Sequence, residues 1–399
     1  MDLCNPRWPK IAATSYEPPH LPDDIIFIIL TRLPAKYVLR FRSVSKLWNT
    51  VISSPRFTRH HYLTDNPITF LTAFPVNSRR SFSVVWITIE REAQLFRINR
   101  DAYDRKSIRE FTCSPHIVGD SCDGVFCVEY RRNAALWNPA TREVRVVHLD
   151  YGGWFDLDSK LVSCVGFGSV KDERSNVVNF KLLLVVTYDE EDEEEEEPIV
   201  HILVYSLREN SLNLVKFPCF LLRNISQNGS VYLKGVLHWL ANGGEGAETA
   251  YILTFDLVSE TFTKIDLPST DWIDIQDKNR YFLTVLDNQY LSFGMVDQAS
   301  LCLNMWALHE IDGQRSWVRR EKIGPLMKAG LMVKYCDPIR GVITQADFDG
   351  SFWYHGRGNA INHYTGLYGL TKWFEYSESL VSLKRIANGQ VDNLDSRGQ

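Results

Sequence analysis

The sequence lacks any apolar stretch long enough to cross a membrane. A membrane-spanning helix needs about 20 consecutive apolar residues, and the most apolar run, within residues 21–33, is too short. The first residues also lack the basic segment and apolar core of a secretory signal. These absences predict a protein with no membrane partner, located in the cytoplasm, with the nucleus as a second location.

Metal-binding and catalytic motifs are missing as well. None of the eight cysteines forms a CxxC pair, which predicts reduced, mostly buried thiols and no metal site. No phosphate-binding loop, dinucleotide glycine pattern, nucleophile elbow or HExxH sequence occurs. His60-His61 is interpreted as a solvated end of a helix. The sequence therefore predicts no catalytic residue and no cofactor.

Charge is close to balanced outside one segment. The net charge is −5, and residues 189–197 (DEEDEEEEE) carry nine negative charges, so the rest of the chain sums to +4. This balance predicts no nucleic-acid partner. A block of like charges usually stays a solvated, disordered loop, which is the prediction for residues 189–197. A surface that attracts a basic partner is the alternative.

Apolar residues are in excess in one short segment, residues 20–33 (HLPDDIIFIILTRL). A surface helix normally shows one apolar stripe and one polar face, but this segment is apolar nearly all round. Pro22 suits the first helical position, and Leu33-Pro34 predicts the end of the helix, since a residue before proline is pushed away from helical angles. The second apolar face of this helix needs a cover.

Two further helices are predicted after it, at residues 36–44 and 46–53. Ser45 is placed to cap the third helix, and Pro55 is expected to stop it. Three short helices within about 40 residues cannot bury enough surface to be stable alone. One face of the first helix is expected to pack on the other two. Its second face either packs on the rest of the chain or meets a partner.

From residue 67 onward one phrase recurs: a short apolar run, a polar turn and a second apolar run. Each copy predicts a hairpin of two strands, and a strand pair around a glycine precedes several copies. Four strands in about 50 residues is the period of a propeller blade. The sequence therefore predicts an all-β repeat domain, a β-propeller whose number of blades is left open, with an irregular β-sandwich as the alternative. The six aromatic anchors of the phrases are Phe96, Trp137, Tyr205, Phe255, Trp306 and Tyr368.

Five motifs of the helical unit resemble those of an F-box. They are Leu21-Pro22, Arg32-Leu33-Pro34-Ala35-Lys36, Arg40-Phe41-Arg42, Lys46-Leu47-Trp48 and Ser53-Ser54-Pro55-Arg56-Phe57. Ile28 stands where the plant pattern usually has glutamate, and Ser43 and Ser45 stand where it usually has cysteines. The resemblance implies docking on the Skp-type adaptor of a cullin–RING ubiquitin ligase. The implied contact residues are Leu21, Pro22, Ile25, Ile28, Ile29, Leu33, Pro34, Leu39 and Trp48.

The repeat region resembles the kelch-like, F-box-associated domain of plant proteins, in the group that includes S-locus F-box proteins. The matching segments are residues 121–124 (SCDG), 136–143 (LWNPATRE), 204–208 (VYSLR), 231–240 (VYLKGVLHWL) and 255–257 (FDL). Leu212 stands where that family usually has tryptophan. The fold class implied is α+β by domain, with a three-helix F-box followed by the all-β repeat domain.

These readings divide the chain into four parts. The predicted divisions are an N-terminal tail at 1–18, the F-box at 19–62, the β-repeat domain at 63–388 with its acidic loop at 189–197, and a C-terminal tail at 389–399. The two domains are expected to bury separate cores.

The resemblance implies a non-catalytic substrate receptor of an SCF-type ubiquitin ligase. The F-box would hold the adaptor, and the β-domain would bind a target protein for ubiquitination and degradation. The identity of the target is left open; a basic target is suggested because S-locus F-box proteins recognise ribonucleases, which are commonly basic. The alternatives are an adaptor-bound scaffold or decoy with no degraded target and, more remotely, a propeller enzyme or glycan-binding module.

Overall fold

The computed structural model describes residues 21–64, 68–75, 82–89, 96–99, 116–130, 133–148, 160–188, 199–215, 230–242, 250–269, 281–297, 299–325, 332–337, 341–346, 350–355, 359–364 and 373–389. The predicted N-terminal tail, the acidic run 189–197 and residues 390–399 lie outside these described residues.

Four helices form the N-terminal unit: α1 Asp23–Thr31, α2 Ala35–Phe41, α3 Lys46–Ile52 and α4 Pro55–Leu63. The predicted cap of the third helix is confirmed, because the backbone N–H of Trp48 donates to Ser45 Oγ at 3.1 Å. The fourth helix was not predicted. Pro55 was expected only to stop the third helix, which does end before it, but Pro55 also lies in the first turn of α4, where its missing N–H costs nothing, and Ser54 caps the new helix.

The core of this unit lies between the inner faces of its helices. Its buried members include Leu30, Val38, Ile52 and Phe57. His61 of α4 is also buried, at 1% exposure, and its Nε2 lies 2.8 Å from the carbonyl oxygen of Leu33. The prediction of a solvated His60-His61 pair is therefore wrong for His61, because α4 folds back onto the end of α1 and covers the imidazole.

The β-domain contains, in chain order, β1 Ile68–Pro75, β2 Phe82–Ile89, β3 Phe96–Asn99, β4 His116–Cys122, β5 Val125–Tyr130, β6 Asn133–Asn138, β7 Glu143–His148, β8 Lys160–Lys171, β9 Val177–Tyr188, β10 Ile199–Ser206, β11 Ser211–Val215 and β12 Val231–Leu233. There follow β13 Val236–Asn242, β14 Ala250–Asp256, β15 Thr261–Asp266, β16 Tyr281–Leu286, β17 Tyr290–Asp297, β18 Cys302–Ile311, β19 Gln314–Ile323, β20 Met332–Asp337, β21 Gly341–Ala346, β22 Gly350–His355, β23 Asn359–Tyr364 and β24 Trp373–Tyr376. A short helix, α5 Leu383–Ala387, comes last.

The described strands form six four-stranded antiparallel sheets, and the last strand closes the ring. The first blade joins β24 to β1, β2 and β3, and the second to sixth blades take four consecutive strands each, from β4 to β23. β24 also contacts β4 and β20, and β4 contacts β8, so the first strands of neighbouring sheets follow one another around an axis. The fold is a six-bladed β-propeller, not the alternative β-sandwich.

Burial in the blades differs from simple alternation. A strand with one face on the core and one in solvent alternates apolar and polar residues, but residues 251–255 of β14 are all buried. The reason is that a middle strand of a blade is covered on both faces by neighbouring blades. Alternation is disturbed less in the outer strand β15, which is mostly exposed.

Four of the six predicted aromatic anchors occupy equivalent places. Trp137, Tyr205, Phe255 and Trp306 are buried in the third strands of their blades. Phe96 instead begins β3, the fourth strand of its blade, and Tyr368 lies outside the described residues. The recurring phrase therefore marks third-to-fourth-strand hairpins in the middle of the chain, but not at Phe96, which lies in the blade that joins β24 to the first three strands.

Two glycines allow neighbouring blades to approach. A Cβ on Gly168 would lie 2.4 Å from the ring of Tyr232, and one on Gly166 would lie 2.9 Å from Ser230 Oγ. Both contacts are closer than real side chains tolerate. The Gly166-Phe167-Gly168 segment of β8 is therefore a packing site between the third and fourth blades.

The two domains do not bury separate cores. Ala140 of the β6–β7 turn packs against the F-box core, and Leu380, from the segment after β24, is one of its buried members. The prediction of separate cores is wrong because the chain returns to the F-box after the ring has closed.

Candidate adaptor-binding surface

One face of α1 is apolar and open to solvent. The exposed fractions are 54% for Leu21, 43% for Ile25 and 47% for both Ile28 and Ile29. Exposed apolar side chains that lie together commonly mark a protein-binding surface. These four residues, with the exposed Pro22 at the helix cap, form what we call the outer face of α1.

The opposite side of the same helix faces inward. Leu30 is buried, and Ile26 and Phe27 pack against the F-box core. Phe27 meets Phe57 edge-on, with 5.2 Å between ring centroids. The helix therefore satisfies one apolar side within the unit and leaves the other without a cover among the described residues. This answers which side of the all-round apolar segment is core.

Four predicted adaptor contacts lie outside this outer face. Leu33, Leu39 and Trp48 are half-buried and pack against the F-box core, and the Trp48 ring meets Phe41 edge-on at 5.5 Å. Pro34 is exposed but serves as the cap residue that precedes α2. The structure thus collects Leu21, Pro22, Ile25, Ile28 and Ile29 on one surface and gives the side chains of Leu33, Leu39 and Trp48 a share in the core. All nine remain predicted contacts.

Three further apolar side chains on or next to α2 and α3 are exposed and were missed. They are Tyr37 of α2, Val44 before α3 and Leu47 of α3, at 50%, 59% and 49%. They extend the apolar area that a partner of the F-box can use.

The propeller has two unlike ends, and the F-box lies against one of them. Arg59 of α4 donates a hydrogen bond to the carbonyl oxygen of Arg174, in the β8–β9 turn. Turns at this end are short, as at 123–124, 139–142 and 172–176. At the opposite end the connections at 149–159, 189–198, 216–230 and 243–249 are longer. With 12-residue strands such as β8 and about 3.3 Å per residue, the two ends of that blade are about 35 Å apart.

Buried polar groups near the axis are paired with one another. Asp123 accepts a hydrogen bond from Ser169 Oγ at 2.5 Å and forms an ion pair with Lys171 at 2.8 Å. Tyr232 OH lies 2.8 Å from the same hydroxyl. These contacts join the second, third and fourth blades. They form a structural network in which Lys171 pairs with the charge of the Asp123 carboxylate.

Four cysteines, Cys122, Cys127, Cys164 and Cys302, are free and buried. Cys122 and Cys127 are almost fully buried, as is Cys164, whose sulfur lies 3.8 Å from that of Cys127. Burial raises the pKa of Cys122, and the contact with Cys164 raises the pKa of Cys127. Raised values leave thiols protonated and unreactive. No group of three or more potential metal ligands occurs among the described residues, and none of the described helices has the length and apolar character to span a membrane.

Comparison with known proteins identifies both parts of the chain. Residues 19–60 match the F-box domain, and residues 73–340 match the F-box associated beta propeller domain. An F-box/kelch-repeat protein of Arabidopsis thaliana is 25% identical over 303 residues, covering 74% of this chain and 73% of that protein. Another Arabidopsis thaliana F-box protein is 22% identical over 388 residues, covering 92% of this chain and 98% of its relative.

Among solved structures, a protein from Lactobacillus plantarum is similar over 77% of this chain and 99% of its own, with 10% identity and a TM-score of 0.37, a likeness too weak to add to the fold. The subgroup resemblance to S-locus F-box proteins stays a prediction.

The two matched domains, in this order, support a substrate-adaptor role in an SCF complex and Skp1-type adaptor binding through the F-box. They indicate a receptor rather than a catalyst. The chain belongs to the family of F-box proteins that carry an F-box associated β-propeller domain.

Proposed function

We propose that this protein is the substrate receptor of an SCF-type ubiquitin ligase. The outer face of α1 docks on the Skp-type adaptor, and the propeller binds a target protein, which is then ubiquitinated and degraded. The observation that carries this proposal is the exposure of Leu21, Ile25, Ile28 and Ile29 on an F-box helix whose other side is already packed.

Covering this face supplies part of the free energy of binding, and the rest must come from further contacts with the adaptor. Full burial of a leucine or isoleucine side chain is worth about 1.5–3 kcal/mol, so covering the exposed half of each is worth about 1 kcal/mol. The four side chains together contribute about 3–5 kcal/mol on that scale. Tyr37, Val44 and Leu47 add further apolar area on the same unit.

The target-binding surface in this proposal is the end of the propeller away from the F-box. The near end is partly occupied by α4 and by the chain that follows β24. The connections between strands contain more residues at the far end, and binding residues are commonly found on the connections between elements. The acidic run 189–197 is joined to that end through Tyr188 and Ile199, which favours a basic target at low salt.

The mechanism is proximity and needs no catalytic residue in this chain. Holding a target beside the ligase converts the meeting of a target lysine and the ubiquitin donor into an event within one complex. The rate then depends on how long the target stays bound and on where its lysines lie.

The experiment is co-precipitation of the full-length chain with a purified Skp-type adaptor, followed by proteomics of bound proteins with and without proteasome inhibition. We expect the adaptor to be retained and at least one bound protein to accumulate when the proteasome is blocked. Absence of adaptor binding would contradict the proposal. Adaptor binding with no proteasome-sensitive partner would instead indicate the scaffold or decoy.

A further inference from the structure

The chain continues after β24 into a segment, residues 377–389, that lies between the propeller and the F-box. We call it the C-terminal clasp. Asn138 Nδ2 donates to the carbonyl oxygens of Ser379 and Val381 at 3.0 and 2.8 Å. The Glu143 carboxylate accepts from Ser382 Oγ at 3.0 Å and from the backbone N–H of Lys384 at 3.2 Å. These bonds attach the clasp to the β6–β7 hairpin.

Apolar packing fixes the clasp on the propeller as well. Val381, Leu383 and Ile386 are buried in the core shared by the second and third blades. A Cβ on Gly124 would lie 2.3 Å from Ser379 Cβ, so the β4–β5 turn has room for the clasp only because residue 124 has no side chain. The clasp is therefore part of the propeller body.

The other side of the clasp binds the F-box at two helix ends. The backbone N–H of Ala35, the first residue of α2, donates to Glu378 Oε2 at 2.7 Å. Arg385 donates to the carbonyl oxygen of Ser53, the residue that ends α3. An acidic group at a helix start and a basic group at a helix end both complement the unpaired backbone groups and the helix dipole. α2 has no side-chain cap of its own, because the residue before it is Pro34.

Leu380 lies between these two polar contacts and is buried in the F-box core. Glu378 thus contacts the start of α2 before Leu380 in the chain, and Arg385 contacts the end of α3 after it. α4 makes independent contacts with the same end of the propeller, where the pKa of Tyr62 is raised by burial and by nearby Asp123. Linked domains move relative to one another unless their interface is extensive and apolar; this interface has a shared core and charge-assisted hydrogen bonds.

We propose that the C-terminal clasp fixes the orientation of the F-box on the propeller, with Glu378 and Arg385 as positioning residues. A target on the far end is then held at one distance and angle from the adaptor. This last consequence rests on the proposed function, whereas the fixed orientation does not.

The test measures the distance between the domains in the full-length chain. Spin labels are attached through a ketone-bearing amino acid at Lys46 of α3 and Val258 of the β14–β15 turn, both exposed, and the distance distribution is recorded by pulsed electron paramagnetic resonance. We expect one narrow distribution in the parent and a distribution about twofold wider or more in the Glu378→Ala, Arg385→Ala double variant, as for domains joined by a flexible linker.

Two matched variants separate positioning from general damage. Glu378→Gln keeps an oxygen acceptor for the N–H of Ala35, and Lys384→Ala removes the exposed charge next to Arg385; both are expected to keep the narrow distribution. Melting of the propeller is expected to be unchanged in all variants. If the F-box of the double variant loses helicity, Glu378→Ala alone is measured against Glu378→Gln.

A narrow distance distribution in the variants that lack the Glu378 or Arg385 contacts would contradict the proposal that the clasp fixes the orientation of the F-box. Adaptor co-precipitation is run on the same samples. A parent chain with a narrow distribution that fails to bind adaptor would refute the proposed function and leave the clasp standing.

Discussion

The F-box and the propeller use apolar residues in opposite ways. In the propeller, Trp239, Phe255 and Phe293 are at most 1% exposed, because each blade is covered by the next. In the F-box, Ile25 and Ile29 are almost half exposed on a helix that is apolar all round. The difference shows that an apolar pattern indicates which residues must be buried. It does not indicate whether they pack against another part of the same chain or against a partner.

The largest expected effect concerns an apolar side chain that is buried in the propeller. Trp239→Ala removes an indole that is buried between the third and fourth blades and donates to the carbonyl oxygen of Val165 at 2.9 Å. Large-to-small changes of this kind cost about 3–5 kcal/mol. Chemical denaturation should show this loss, and Leu214→Ala, at an exposed position, should change stability by less than about 0.5 kcal/mol. Equal losses would remove the contrast between covered and open apolar residues.

The next largest effect concerns the exposed apolar side chains on the outer face of α1. The Ile25→Asp, Ile29→Asp double variant should reduce adaptor affinity at least about a hundredfold, because unpaired carboxylates would enter an apolar contact. Helicity should stay unchanged, since both side chains face solvent in the free protein. Binding is measured by calorimetry with purified adaptor, and Val258→Asp, a matched exposed change on the propeller, is the control. Full retention of the adaptor by the double variant would mean that the outer face of α1 is not the docking surface.

A smaller effect concerns how the buried His238 makes the stability of the propeller depend on pH. Burial lowers the pKa of His238 to about 4, below its ordinary value of 6.5, and its Nδ1 lies 3.2 Å from the carbonyl oxygen of Val231. Between pH 4 and 6.5 the imidazole is therefore protonated in the unfolded chain and neutral in the folded chain. The free energy of unfolding is highest above pH 6.5 and decreases as the pH falls. From pH 7 to 5 the loss is about 2 kcal/mol.

His238→Asn keeps a donor for Val231 without titrating. The pH dependence of its melting temperature should be flatter than that of the parent by this amount. Parallel curves for the two proteins would exclude His238 as the source. His61 of the F-box, whose pKa is also lowered by burial, should add acid sensitivity of the same sign to F-box helicity.

The smallest expected effect concerns residues 189–197. Replacing their acidic side chains with serine should change the free energy of unfolding by no more than about 0.5 kcal/mol, as for a solvated loop. Thermal melting at low and moderate salt measures this. A large drop in the melting temperature would show that the run stabilises the fold and would weaken its interpretation as a solvated loop.

Several features of the molecule follow from neighbouring residues alone. Ser45 caps α3 and Pro34 separates α1 from α2, because caps and proline restrictions act within one helical turn. The blade hairpins around Trp137 and Phe255 follow from strand-forming residues on either side of a polar turn. α4 was missed although its signal is also local: Ser54-Pro55 is a helix start, and it was interpreted only as a stop.

Other features depend on residues that are far apart in the sequence. The pairing of β24 with β1, the burial of His61 and the capping of α2 by Glu378, 343 residues from Ala35, leave no periodic trace. The sequence by itself determined the helical unit, the repeated blades and the apolar excess of α1, since these depend on backbone preferences over a few residues. Only the tertiary structure decided which side of α1 stays open and that the chain end ties the F-box to the ring, because ring closure brings those residues together.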